Sequence, residues 1–157
     1  LVQSCADYFF ARMMGTVPIL HPDTFQKHVR RMDSDDCLYS YCMVAAFCAF
    51  VLTQTGYLSW HGEIPPGLAR ALLDEAMAVR RHLDLFAGST RQGIIIAFLL
   101  YGCHIGFGNQ RHAYYFLREA TTLYTAGMLD QPGAEGNEEH DPSFRGRLFW
   151  LLLISER

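Results

Sequence analysis

Apolar residues recur along this chain at helical spacing, and no stretch alternates polar with apolar for long enough to make a good strand. Leu1, Cys5, Tyr8, Phe9 and Met13 share one side of a first segment that Gly15 closes, and Pro18 holds Val17 extended beyond it. Pro22 suits the first position of a short helix reaching about Met32, with Phe25 and Val29 inward. Asp33-Ser34-Asp35-Asp36 then offers capping carboxylates for a helix from Cys37 to about Thr55, with Gly56 as its C-cap. The middle of that helix is apolar nearly all round, which places it at the centre of a bundle.

Tyr57 to Gly67 reads as a loop ended by two prolines. From Leu68 to Leu85 the amphipathic spacing returns, with Leu68, Leu72, Leu73, Ala76, Val79 and Leu83 inward and Arg70, Asp74, Arg81 and His82 outward. Gly88 breaks it, and Ser89 or Thr90 caps a helix whose core, Ile94 to Tyr101, is apolar on every face. Gly102 and Gly106 would let that helix be crossed closely. After Gly106-Phe107-Gly108, Asn109 caps a helix burying Ala113, Phe116, Leu117, Ala120, Leu123 and Tyr124, closed by Gly127. Gln131 to Asp141 is polar and acidic, and Asp141-Pro142 opens a last apolar helix still in progress at Arg157. The pattern predicts an all-α fold of about seven helices in antiparallel pairs, a bundle or a helical-repeat-like stack. Two successive pairs, 37–55 with 68–85 and 89–106 with 109–127, suggest the stack, although no fixed sequence period accompanies them.

Composition narrows the classes. The 157 residues amount to about one domain, half hydrophobic and 18% charged. A net charge of -3 gives no electrostatic footprint for nucleic acid. The longest unbroken apolar run, Cys42 to Leu52, is far short of the roughly 20 residues that span a bilayer. Asp7 and Arg12 interrupt what would otherwise be a leader. A start at Leu1 and an unfinished closing helix are what a piece of a longer, soluble protein would show. The five cysteines all fall in apolar helical contexts, as reduced buried thiols of an intracellular protein do.

Reactive chemistry is hard to find. Cys37 and Cys42 point about 140° apart on one helix, and Cys37 and Cys48 stand roughly 16 Å apart along it, so no ion is shared. There is no C-x-x-C and no H-E-x-x-H. The aspartates at 33, 35 and 36 crowd a helix start rather than stepping along a cavity-facing helix, so capping outweighs magnesium binding. Cys103 and His104 are adjacent and turn about 100° apart, which forbids a direct dyad. A solvated or singly hydrogen-bonded state is the default for each of the seven histidines. No catalytic or metal-binding residue is assigned, and a lyase or hydrolase has almost no support. Two features remain. The loop around Tyr57, Trp60 and His61 is apolar enough either to fold back on the core or to serve as a docking surface. Glu119 borders the buried stripe of its helix and needs a partner. Arg147, at the start of the last helix, is the expected one, in a structural pair locking the two helices.

The same residues carry a resemblance. Leu117-Arg118-Glu119-Ala120-Thr121-Thr122-Leu123, Gly127-Met128, and the run Arg145-Gly146-Arg147-Leu148-Phe149-Trp150-Leu151-Leu152-Leu153-Ile154-Ser155-Glu156-Arg157 resemble the middle homology region of fungal binuclear zinc-cluster transcription factors. Tyr8-Phe9-Phe10, Pro18-Ile19-Leu20-His21-Pro22 and Phe25 match the start of that region in the same order, so almost the whole chain is covered. The wording is closest to the amylase- and maltose-responsive regulators. Gly146 departs from the family's three consecutive basic residues, which removes one anion contact. The resemblance implies that residues 1–157 are part of one regulatory domain of a nuclear protein, with shuttling from the cytoplasm an option. It implies zinc only in a six-cysteine DNA-binding cluster absent from these residues, with DNA reached through that cluster alone. It further implies a small-molecule inducer or an inhibitory protein as partner, no membrane, and a homodimer as one assembly. The alternative is a helical protein–protein interaction scaffold with no small-molecule ligand.

Overall fold

The structure is a computed structural model and describes residues 1–32, 37–55, 65, 67–84, 90–129 and 142–156. Among these residues there are seven α-helices and no strands: α1 Val2–Tyr8, α2 Pro22–Arg31, α3 Leu38–Thr55, α4 Leu68–Arg80, α5 Thr90–Gly106, α6 Gln110–Leu129 and α7 Pro142–Ser155. The expected all-α class and helix number are met. The first helix differs in detail, because α1 widens into a π-helical turn, Phe9–Met13, before it ends. Apolar periodicity does not show such a turn, since one extra residue per turn shifts the stripe only locally.

Every residue from Cys42 to Leu52 is buried, so α3 is the central helix that its all-round apolar pattern requires. Phe47 gathers the N-terminal elements around it, with ring centroids 5.0 Å from Phe9 and 4.3 Å from Phe25. Leading into α2, His21 is the N-cap: its Nδ1 accepts the backbone N–H of Asp23 at 3.3 Å, and Pro22 takes the first helical position. His28 follows Phe25 inward, where Val29 alone had been expected to join it, and its Nδ1 lies 2.8 Å from Ser40 Oγ on α3. Burial, then the nearby Arg31 and Arg91 charges, hold this imidazole down at about 4, so it is neutral at pH 7.

Side-chain links show how the remaining helices run. Tyr39 reaches the Asp84 carbonyl while Cys42 Sγ donates to the Ala76 carbonyl at 3.4 Å, so α3 and α4 are antiparallel. Gln54 Nε2 donates to the Gly102 carbonyl at 3.0 Å, and Cys103 Sγ to that of Ala46 at 3.9 Å, which packs α5 on α3, and the approach of Gly102 to Phe50 and of Gly106 to Thr53 runs the two helices in the same direction. Methyl groups on Gly102 and Gly106 would collide with the side chains of Phe50 and Thr53, so these two glycines set how closely the helices cross. α5 then ends in a tight reversal. Gly108, at φ 71°, takes the left-handed position, Gly108 N–H reaches the Ile105 carbonyl at 2.9 Å, and Asn109 N–H reaches that of His104 at 2.8 Å. That is a Schellman turn, and it folds α6 back against α5. The result is two antiparallel hairpins, α3–α4 and α5–α6, stacked side by side, with α7 added on the flank of α6.

Four cysteines are buried and Cys37 is partly so; all five are free thiols. Burial pushes Cys42 up to about 12 and raises Cys103. Cys5 and Cys48 share a hydrogen bond that lowers the first and raises the second. No helix among the described residues is long and apolar enough to cross a membrane.

Candidate functional site

Stacking two hairpins in parallel brings α4 beside α6, and this seam holds the polar groups least explained by folding. On α4 the buried stripe Ala69, Leu73 and Ala76 continues, four residues on, to Arg80. An arginine at an inward position has to find an acceptor. On α6 Phe116 and Glu119, three residues apart, face Arg80 of α4, with His112 one turn before Phe116. Arg80 Nη2 pairs with Glu119 Oε1, and only 14% and 17% of the two side chains is exposed. The Arg80 guanidinium also lies over the Phe116 ring, 5.0 Å from its centroid.

The floor of the seam comes from the end of α5. His104 lies parallel to Phe116, centroids 5.4 Å apart and planes 2° apart, and 5.1 Å from the ring of His112. His104 is 6% exposed, yet neither ring nitrogen has a hydrogen-bond partner. Arg80 Nε and Glu119 Oε2 are likewise buried without partners. Arg80 and His104 both lie against the Phe116 ring, and Glu119 is joined to them through Arg80. At the open end, Arg70 lies over Phe107 at 5.2 Å and pairs with Asp74 at 3.7 Å, while His112 Nδ1 meets Asn109 Oδ1 at 2.9 Å.

The electrostatics follow from burial. Desolvation raises the Glu119 carboxyl, with Arg80 pulling the other way. Desolvation also lowers His104, helped by His112 and Arg70 and opposed by Asp74. A neutral imidazole offers one donor and one acceptor. Beside it stand an unused carboxylate oxygen and an unused guanidinium N–H. Among the described residues no set of three or more His, Cys, Asp or Glu is placed to hold a metal ion.

Glu119, expected to pair with Arg147, bonds to Arg80 of α4. The reason is angular. α7 docks on the opposite flank of α6, where Thr121 Oγ1 donates to Glu156 Oε1 at 3.1 Å and Tyr124 donates to the Arg145 carbonyl at 3.3 Å. Residues 119 and 121 point about 200° apart on a helix, so the helix that takes Thr121 leaves Glu119 behind. Arg147 is exposed on α7. Glu156 of α7 ties the two helices through Thr121 and also sits 3.6 Å from Arg118. Tyr57, Trp60 and His61, the candidate docking loop, and the acidic run at 33–36 lie outside the described residues. The sequence pattern assigns no partner to Arg80 and sets His104 aside only as a dyad with Cys103. For Arg80 a signal existed in its spacing from Ala69, Leu73 and Ala76. For His104 the only signal was a histidine on an apolar helix, where a hydrogen-bonded state is the usual outcome.

No protein-family model matches this chain, and no solved structure matches it. A curated fungal protein does. Over 160 aligned residues the chain is 20% identical to the Probable sucrose utilization protein SUC1 of Candida albicans, covering 99% of this chain and 31% of that protein. The chain thus spans less than a third of the relative's length and is similar to it from end to end.

Proposed function

We propose that this chain is the regulatory region of a fungal transcription factor of the zinc-cluster kind that governs carbohydrate use. It does no chemistry itself. Its DNA-reading cluster, with the zinc, lies outside these residues, and it acts in the nucleus. A small molecule or an inhibitory protein biases the stacked hairpins between a masked and an active arrangement. What carries this reading is one coincidence of extent. The family wording runs from Tyr8 to Arg157, and the similarity to a protein named for sucrose utilisation covers 99% of the chain. The test is to remove residues 1–157 from the full-length protein and measure transcripts of sugar-hydrolysing and sugar-transport genes with and without maltose or sucrose. Loss of the sugar-dependent difference is expected; an unchanged response would overturn the proposal.

A second reading, a helical scaffold that binds protein and senses no ligand, has its own support. Tyr114, Tyr115, Trp150 and Ile154 are each more than 60% exposed on α6 and α7. If that surface joins two copies, sedimentation should show a dimer that Trp150→Ser separates into monomers.

A further inference from the structure

Exposed helix faces ordinarily mix the two signs of charge, and the outer face of α4 does so, with Arg70 and Asp74 paired one turn apart and Glu75 beside them. The outer face of α6 does not. Arg111, Tyr114, Tyr115 and Arg118 stand at i, i+3, i+4 and i+7, within about 100° of one another and over about 10 Å of helix. All four are exposed: Tyr114 by 65%, Tyr115 by 61% and the Arg118 side chain by 76%. Further along, the stripe fades into Thr122 and Thr125, whose hydroxyls donate to carbonyls one turn back. The one acid in α6, Glu119, points inward to Arg80. Among the described residues neither the Arg111 guanidinium nor the hydroxyls of Tyr114 and Tyr115 have a hydrogen-bond or ion-pair partner. A carboxylate already reaches the far end of the stripe, where Glu156 of α7 lies 3.6 Å from Arg118.

We infer that this stripe docks an acidic segment of another protein that carries leucine or aromatic residues between its acids. Carboxylates of the segment meet Arg111 and Arg118 at the two ends, and its apolar side chains cover the tyrosine rings between them. Interfaces favour these side-chain types, because a tyrosine buries a large rigid surface and keeps its hydroxyl for a hydrogen bond. Complementarity sets the sign of the partner: two arginines with one carboxylate between them leave the stripe positive on a chain whose net charge is -3. That overall charge disfavours nucleic acid as the occupant. A two-fold contact centred here would set Arg111 and Arg118 against their own kind, which leaves Trp150 and Ile154 of α7 as the place for a second copy. The inference goes beyond the regulatory reading and does not depend on it.

The experiment is fluorescence anisotropy of a short labelled peptide, with Asp and Glu alternating with Leu and Phe, titrated with the 157-residue chain. Saturable binding is expected, and it should weaken as NaCl rises from about 0.01 M to about 0.1 M and the screening length shortens. Arg111→Glu should weaken it roughly three- to tenfold, because reversing one exposed charge exchanges an attraction for a repulsion. Tyr115→Ala should weaken it by a similar factor and leave its salt dependence unchanged. Both side chains are exposed, so both variants should keep the wild-type circular dichroism. Arg81→Glu, an equal change of charge just past the end of α4, should bind as the wild type does. Absence of saturable binding would overturn the inference, as would equal weakening by Arg81→Glu and Arg111→Glu. So would equal binding of a peptide with Asn and Gln in place of its acids. A labelled oligothymidine that binds as tightly as the peptide would give the stripe to nucleic acid instead. A wild-type dimer that Tyr115→Ala separates into monomers would give it to a second copy.

Discussion

At the scale of single residues, Arg80 and Glu119 form an ion pair that is largely buried, and its energetics are lopsided. Bringing Arg80 and Glu119 out of water costs more than their attraction returns at the carboxyl, since burial is the leading influence on Glu119. Arg80→Ala would strand Glu119 and should lower stability by about 3 kcal/mol. Arg80→Met with Glu119→Leu removes both charges and should come within about 1 kcal/mol of the wild type, as chemical denaturation can measure. If the double variant is as unstable as the single one, the pair itself is stabilising. His28 gives a pH test. Its folded-state value lies at about 4, below the ordinary 6.5, so the unfolded chain binds more protons between these limits. The stability His28 confers is present above pH 6.5 and lost as pH falls towards 4. Melting temperatures of wild type and His28→Gln should therefore converge as pH drops across that window.

At the scale of elements, the helices were largely legible because each depends on its own stripe. α3 and α5 announced themselves by runs apolar on all faces, and Pro22 fixed the start of α2. Ends were less legible where tertiary packing overrides a local stop: α6 runs through Gly127 to Leu129, and α4 stops at Arg80 rather than Leu85. Partner choice was the least legible, since a stripe says which side of a helix is buried and not which neighbour buries it. Glu119 shows this. It flanks the stripe on one side and Thr121 on the other, and only the docking of α7 decides which is covered. The glycines of α5 were readable as close-approach residues, and they offer a direct test. Gly102→Ala should lower stability by about 1–3 kcal/mol as Phe50 is forced aside, with Gly106→Ala doing the same against Thr53. Gly146→Ala, where a methyl group meets nothing, should be neutral or slightly stabilising, as helix propensity predicts.

At the scale of the whole molecule, two layers differ in how they are held. α3 and α5 cross so closely that glycine is required between them. α4 and α6 are joined largely by long side chains reaching across, with the Arg80–Glu119 bridge in the middle. This difference has a consequence in time as well as in space. Amide protons of α3 and α5 should exchange with solvent only when the entire chain unfolds. Those of α4 should escape sooner, by local openings that cost less than global unfolding. Hydrogen exchange followed helix by helix would then separate a slow inner pair from a fast outer helix. Removing the bridge with Arg80→Ala should quicken α4 more than α3. A molecule built this way keeps one face permanently closed while the other opens and recloses many times within the life of a single folded state.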